Sequence, residues 1–415
     1  MTWLLYDTGN SFLMTALGGL FLSQWIVLDK GFDDIWYGGA FSIATVIVLI
    51  LSPVLGAWSD AIKKRMPFIT ITTLLMFLFG ILFVCVPIVV STKSAVYFVL
   101  VLFITLQILY QLSLVFYNAL LEQLSDAKHR GKIVGLGDMF GLFGWVASLV
   151  IAMPFATGKI TLLGPPGRTQ AFLPNILLFI LISWPMITLF KERKAKTPIQ
   201  TQLSPKNILG DAVRNLRKLF TTEKNIGTFL LGFCFVSDAI LTIQLYFAII
   251  LDRLYKIEDS QKIVITILMG VVNTVSAYVG GKLCDIIGAK KVLLVSTGIL
   301  VVVFAAGFLV PTQFVLWMMP LAAGVGWGGF YAASRTLLVN IAPPQNLAEY
   351  FGFYSTFQKF ASVIGPSLWG LITYIMRDTF SLKYQVAGLA MVVLMLIGMY
   401  LFTKVKYNIR NQSTA

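Results

Sequence analysis

Twelve long apolar segments constrain this chain more than any other feature of its sequence. Each segment has about twenty residues or more, which is the length that a helix needs to cross a hydrocarbon core of about 30 Å. Charged residues make up 12% of the chain, whereas soluble domains contain about 25%. We therefore predict an all-α membrane protein. The predicted spans are 3–28, 35–58, 67–90, 95–121, 131–156, 172–190, 226–251, 262–284, 291–310, 313–340, 347–376 and 383–404.

The longest polar stretch, 191–225, divides these spans into two sets of six and contains nine Lys and Arg residues. We predict a cytoplasmic linker there, between an N-terminal six-helix bundle (1–190) and a C-terminal one (226–415). The two sets repeat each other, because a Gly-x-x-x-Asp pattern followed by basic residues comes after both the second and the eighth span. Internal repeats of this size are typical of transporter folds.

Basic residues are concentrated in alternate loops, which indicates the orientation of the chain. The linker and the loops after the second, fourth and eighth spans are basic, whereas the loops after the first and seventh spans mix Asp29 with Lys30 and Asp252 with Arg253. By the positive-inside rule both termini are cytoplasmic. This bias also explains the net charge of +14 without a nucleic-acid partner. The short loops favour a multi-pass protein of a bacterial inner (plasma) membrane, and the membrane of a eukaryotic organelle is the alternative.

Polar side chains are concentrated in the first and fourth spans. In the fourth span they recur every three to four residues and so form a stripe on one helix face. Placing polar atoms in hydrocarbon costs free energy unless they form hydrogen bonds with other protein groups or with water. We therefore expect the stripe to line a substrate cavity. Helix–helix hydrogen bonding is the alternative for each residue. These cavity candidates are Asp7, Asn10, Gln24, Gln107, Tyr110, Gln111, Tyr117 and Asn118.

Two charges lie deep in the C-terminal spans. Asp238 and Lys359 are each twelve residues into their predicted spans, or ~18 Å at 1.5 Å per residue, near the bilayer midplane. An ionisable group costs roughly 3 kcal/mol at that depth, so it needs a partner or a function. Either the two line the substrate cavity and one carries a proton or binds substrate, or they form a structural ion pair. We add Tyr331, beside the glycine-rich stretch of the tenth span, to the cavity set.

Enzyme chemistry has little support in the sequence. His129 is the one histidine, no nucleotide-binding motif occurs, and the three cysteines lack metal-ligand or redox spacing. We therefore predict no enzymatic activity, no cofactor and no metal.

Glu122 ends the fourth span, where the helix dipole disfavours an acid, so it needs a basic partner. Arg335 or the basic 128–130 loop could provide one.

The paired loop motifs resemble those of the major facilitator superfamily. The resemblance implies two pseudo-symmetric six-helix bundles, with the motif Asp and basic residues acting at the cytoplasmic gate. The first copy departs from the pattern at Ala61 and Lys63, whereas the second copy matches it better. The gate residues carried over are Gly56, Asp60, Lys64 and Arg65 in the first copy and Gly281, Asp285, Lys290 and Lys291 in the second. We add Glu122 and Arg335 to this gate set.

More narrowly, the chain is similar to the vacuolar effluxers linked to autophagy and their bacterial relatives. This resemblance implies transport of a small solute, with amino acids as the first substrate class. We predict a monomeric secondary transporter that works by alternating access. Proton coupling through Asp238 or Asp7 is one hypothesis for its driving force, and uniport is the other. A lipid flippase or a non-transporting sensor on the same fold is the alternative. The resemblance is carried by Leu5-Tyr6-Asp7, Asn10-Ser11, Phe116-Tyr117-Asn118, Ser334-Arg335-Thr336-Leu337, Glu349 to Tyr354, Lys359 and Gly365-Pro366.

Overall fold

A computed structural model describes residues 1–62, 64–90, 92–124, 130–192, 219–343, 347–379 and 382–407. Nearly all of these residues are helical, and the described part of the chain contains no strand. The first half contributes six long helices. They are α1 (Thr2–Leu17, continued by Leu22–Gln24 and the π-helical Trp25–Asp29), α2 (Asp34–Ile62), α3 (Met66–Val89), α4 (Ala95–Ala119), α5 (Arg130–Ala156) and α6 (Phe172–Leu189).

Six more long helices follow in the second half of the chain. Every one of the twelve predicted spans is confirmed as a helix, and the predicted ends lie within four residues of those observed. Hydropathy alone therefore sets the positions of the helices. The second six are α7 (Lys224–Tyr255), α8 (Asp259–Ile287), α9 (Ala289–Leu309), α10 (Gln313–Ile341), α11 (Leu347–Ile375) and α12 (Leu382–Lys404).

The helix surfaces are those of a membrane protein. Among the described residues, eleven helices are long and apolar enough to cross a bilayer. The twelfth, α11, has 29 residues but is more polar along its length. Large apolar side chains that a soluble protein would bury are exposed on these helices, which suits contact with lipid. Examples are Ile50, Leu78, Val101, Phe143, Leu181 and Val302.

The described residues form two compact units. The first contains those of Met1–Ile208 together with Leu245–Ile249 and Glu258–Ile263, and the second contains the remainder. In the first unit α1 packs against α5 and α6, and α4 packs against α2 and α3. In the second, α9 packs against α10 and α12. The domain boundaries at 190 and 225 stay a prediction, because most of the linker, 193–218, lies outside the described residues.

The first span differs from the uninterrupted helix that the sequence predicts. Its α-helix ends at Leu17, and the chain resumes helical structure at Leu22. A side chain on Gly19 would overlap the backbone carbonyl oxygen of Leu245, which belongs to the same unit. Two consecutive glycines permit this close backbone approach.

Candidate functional site

The buried carboxylate of Asp238 is the most unusual group in the second unit. Asp238 lies in α7 and is 1% exposed. Its Oδ1 accepts a hydrogen bond of 2.7 Å from the backbone N–H of Gly365 in α11. Its Oδ2 has no hydrogen-bond partner among the described residues. A buried carboxylate satisfied on one oxygen alone is costly in an apolar span, so this position indicates a functional group.

Two hydroxyl groups share the environment of Asp238. Thr242 lies one turn further along α7 and is fully buried, and its Oγ1 has no hydrogen-bond partner within the described part of the chain. A Cβ atom on Gly365 would lie 2.6 Å from Asp238 Oδ1 and would also overlap Thr242 Oγ1. The glycine therefore allows both oxygens to approach the backbone of α11. Ser237, the neighbour of Asp238 in the chain, is also fully buried, and its side chain lies beside the Tyr331 hydroxyl group.

Lys359 does not pair with Asp238. It lies on α11, six residues before Gly365, and is partly exposed. Of the salt bridges between described residues, none joins Lys359 to Asp238. The structural ion pair that the sequence left open is thus absent from the described residues. Both residues stay candidates for the cavity, and Asp238 is the more deeply buried of the two.

Tyr331 belongs to an aromatic cluster in the second unit. The ring of Phe233 stacks on Tyr354 with centroids 4.0 Å apart and meets Tyr331 edge-on at 6.4 Å. The Tyr354 hydroxyl group lies 2.9 Å from Ser334 Oγ. Tyr331 itself is partly exposed. The cluster lies on α7, one turn before Asp238, and reaches α10 and α11.

In the first unit, Asp7 faces the glycine-rich side of α5. A Cβ atom on Gly141 would lie 2.7 Å from Asp7 Oδ2, and the Ser11 hydroxyl group donates 2.9 Å to the Gly141 carbonyl oxygen. Asn10, one turn along α1 from Asp7, is 2% exposed. Its side-chain amide has no hydrogen-bond partner among the described residues. Asp7 is itself only partly buried.

The polar stripe of α4 divides into two groups. Tyr117 contributes to helix packing. Its ring stacks on Trp3 with ring centroids 4.5 Å apart, and its hydroxyl group donates a hydrogen bond of 3.1 Å to the Trp3 carbonyl oxygen. Gln111 donates 3.3 Å to Thr45 Oγ1 on α2. These contacts are the helix–helix hydrogen bonds that the sequence left as an alternative. Gln107 is buried, Tyr110 is partly exposed and Asn118 is exposed.

The basic residues of the loop motifs fasten helices inside each unit. In the first unit, the backbone N–H groups of Arg65 and Met66 donate to the Glu192 carboxylate at 2.8–3.1 Å, which ties the start of α3 to the chain after α6. The Arg65 guanidinium also donates to the Ala119 carbonyl oxygen. Lys64 is exposed and Gly56 partly exposed, whereas the side chains of Asp60 and Glu122 lie outside the described residues.

In the second unit a lysine side chain makes the corresponding contact, and here the side chain donates to backbone carbonyl groups. The Lys290 ammonium donates to the carbonyl oxygens of Thr403 (2.9 Å) and Val405 (2.7 Å), so the start of α9 is tied to the end of α12. A cation suits the C-terminal end of a helix, where carbonyl groups lack partners. Gly281 is partly exposed, and Asp285, Lys291 and Arg335 are exposed.

An ionic cluster in the first unit was not predicted from the sequence. Arg168 donates through Nε and Nη2 to both carboxylate oxygens of Asp259 at 2.7 and 3.2 Å, and through Nη1 to Asp29. Lys262, 1% exposed, donates 2.9 Å to Asp259 Oδ1 and 2.7 Å to Gln24 Oε1. Gln24, predicted to line the cavity, is thus a member of this cluster. These residues lie at or near the ends of the predicted spans. Charged side chains are common there, so the sequence alone did not indicate a cluster.

Solved structures with the same fold define the class of the protein. The nucleoside transporter NupG (D323A mutant) superposes with a TM-score of 0.75, at 17% identity over 97% of this chain and 99% of that one. A bacterial homologue of the human lysosomal transporter Spinster gives 0.75, at 15% identity over 97% and 95%. Together with the twelve described helices, these likenesses show that the chain has the major facilitator fold of a multi-pass membrane protein.

Sequence relatives define the family within that class. The model of the Atg22-like vacuole effluxers matches residues 122–413, and the chain belongs to this family. It is 25% identical to the MFS-type transporter YxiO of Bacillus subtilis over 96% of this chain and 92% of that one. It is also 26% identical to autophagy-related protein 22 of Yarrowia lipolytica, over 43% of this chain and 31% of that one. The predicted family resemblance is confirmed.

Proposed function

We propose that this transporter moves a small solute by alternating access and couples the movement to protons through Asp238. The observation that carries the proposal is the burial of Asp238 in an apolar span with one unpartnered oxygen. A permanent cation beside a carboxylate stabilises its ionised form and so opposes protonation. Among the described residues no Lys or Arg lies within salt-bridge distance of Asp238.

The surroundings of Asp238 suit reversible protonation. The titratable side chain nearest to it on α7 is the Cys234 thiol, one turn earlier, and on α11 its contact is the Gly365 backbone. Protonation removes the charge, and an apolar environment then tolerates the group. Asp7 is the alternative coupling group, since it is partly buried on the first span of the first unit.

Amino acids are the first substrate class to test, because the family resemblance implies them. The named substrates of structurally similar transporters give the next classes, since those proteins are nucleoside and D-xylose transporters. Lipids are the third class, as a flippase on this fold remains the alternative. We also propose that the protein is monomeric, has both termini in the cytoplasm and resides in a bacterial plasma membrane.

The ionic cluster of the first unit supplies a candidate for one gate. We propose that the first turn of α8, which carries Asp259 and Lys262, moves away from Arg168 during alternating access. Such a movement would break the bidentate pair of Arg168 with Asp259. We propose that this ion pair stabilises the conformation in which the first turn of α8 contacts Arg168.

Uptake of labelled solutes into proteoliposomes tests the proposed function. The assay compares wild type with Asp238→Asn, with and without an inward proton gradient, in sodium-free choline buffer. We expect gradient-driven uptake in wild type and its loss in the variant, and Asp378→Asn, an exposed loop change, is the matched control. Equal gradient-driven uptake by wild type and Asp238→Asn would contradict the role of Asp238.

A further inference from the structure

A proton alone leaves part of the Asp238 site unsatisfied. A proton on Oδ2 would remove the charge of the carboxylate, yet neither the new O–H group nor the Thr242 hydroxyl group has a hydrogen-bond partner among the described residues. Both side chains are nine-tenths buried or more, and they lie one helical turn apart on α7. Buried polar oxygens without partners are uncommon in folded proteins and call for an explanation such as an ion.

The backbone of α11 adds one carbonyl oxygen near the same level. The N–H of Gly365 donates to Asp238, and α11 continues as a helix through this position. Pro366 has no N–H, so the carbonyl oxygen of Ser362 lacks its usual helical donor. Backbone carbonyl groups that lack a helical donor coordinate sodium ions in transporters with interrupted helices.

We infer that the site formed by Asp238, Thr242 and the Gly365 region of α11 binds a sodium ion in place of the proton. The inference rests on the proposed function, since it names a second ion for the same coupling carboxylate. Its ligands are hard oxygen atoms, which suit alkali and alkaline-earth cations rather than transition metals.

The charge of the site selects a monovalent ion. One carboxylate balances one positive charge, and burial of a second, uncompensated charge would be costly. The described residues contain no cluster of three or more His, Cys, Asp or Glu side chains that could hold a metal ion. Sodium therefore fits the site better than a divalent cation.

The hydroxyl group of Thr242 distinguishes the two ions. Thr242→Val keeps the shape of the side chain and keeps Asp238, so proton binding survives, whereas sodium loses one oxygen ligand. We expect Thr242→Val to weaken sodium binding by roughly tenfold or more, which corresponds to the loss of one modest interaction. Thr297→Val is the matched control, because the buried Thr297 hydroxyl group donates 2.8 Å to Leu293 in its own helix.

Sodium binding is measured first without transport. The purified protein is heated in detergent at constant ionic strength in NaCl, KCl or choline chloride. A ligand that binds the folded state alone raises the apparent Tm as its concentration rises. We expect a saturable rise with NaCl in wild type and Thr297→Val, a much weaker response in Thr242→Val and none in Asp238→Asn. Equal responses to NaCl and KCl in every variant would overturn the inference.

Transport in proteoliposomes then separates this inference from the proposed function. At fixed pH, an inward sodium gradient should drive uptake in wild type, and Thr242→Val should lose this response while it keeps proton-driven uptake. Proton-driven uptake without any effect of sodium, in binding or in transport, would overturn the inference and leave the proposed function intact. Sodium-dependent stabilisation that requires Asp238, without coupled uptake of any solute, would support the ion site and contradict the proposed function.

Discussion

At the scale of single residues, the contact between Asp238 and Gly365 explains why position 365 is a glycine. A methyl group there would overlap Asp238 Oδ1 and Thr242 Oγ1. Helix propensity alone would favour alanine by about 0.5–1 kcal/mol. The close approach of the carboxylate to the backbone of α11 therefore outweighs propensity, and it fixes one Asp238 oxygen while the other stays unpartnered within the described residues.

Gly365→Ala is expected to destabilise the protein by about 1–3 kcal/mol, the usual cost of overpacking, and to impair coupled uptake. The apparent Tm in detergent and uptake in proteoliposomes measure the two effects. Gly352→Ala on the same helix is the control, because a Cβ atom there meets nothing within 4 Å. Equal thermal stability of the two variants would contradict the contact.

The depth of Asp238 could be predicted from the sequence, but its partner could not. A charge inside an apolar run is visible in one segment, whereas Gly365 lies 127 residues away along the chain. Spacing within a helix carries no information about such a contact. For the same reason the use of Tyr117 in packing against Trp3 became clear in the structure alone.

At the scale of elements, the ionic cluster joins the end of the first span to the first turn of α8. Arg168 and Asp259 are both 17% exposed, so their bidentate pair is less screened by water than a surface pair. Charges at span ends are common in membrane proteins, and sequence reasoning treated these as ordinary loop charges. The structure gives them specific partners.

We predict that Arg168 and Asp259 are energetically coupled by about 1–3 kcal/mol. Arg168→Gln and Asp259→Asn should each lower the apparent Tm, and the double variant should be more stable than the sum of the two losses predicts. Arg377→Gln, at an exposed position, serves as the single-variant control. Strictly additive losses would show that the pair is not coupled.

Lys290 is predicted to protect the end of α12. Lys290→Met removes the donor to the Thr403 and Val405 carbonyl oxygens, so this end should fray, at a cost of about 0.5–2 kcal/mol. Hydrogen–deuterium exchange over 400–407 should become faster than in wild type. Lys282→Met, at an exposed lysine of α8, should leave it unchanged. Unchanged exchange in Lys290→Met would contradict this anchoring role.

At the scale of the whole molecule, hydropathy was sufficient to predict the fold. Among the described helices, eleven contain an apolar run long enough to specify a membrane helix by itself, and α11 is the more polar exception. The interruption between Leu17 and Leu22 was not predicted. It coincides with the close approach of Gly19 to Leu245, which is distant in sequence. Local patterns therefore predict helices well and contacts between helices poorly.

Orientation is the whole-molecule prediction that follows from loop charge. Fusions of a reporter that is active in the cytoplasm alone, one at each terminus, should both be active if the positive-inside rule sets the topology. Fusion within the loop between α7 and α8 should be inactive. Activity at that loop and silence at the termini would reverse the orientation of the chain.

Solute-dependent proton movement tests most directly the claim that this transporter couples a solute to protons at Asp238. Proteoliposomes with a trapped pH-sensitive dye, in sodium-free buffer, receive candidate amino acids, nucleosides and pentoses in turn. The account predicts that at least one solute moves protons across the membrane in wild type and that Asp238→Asn abolishes the signal. Solute transport without proton movement, or an unchanged signal in Asp238→Asn, would contradict it.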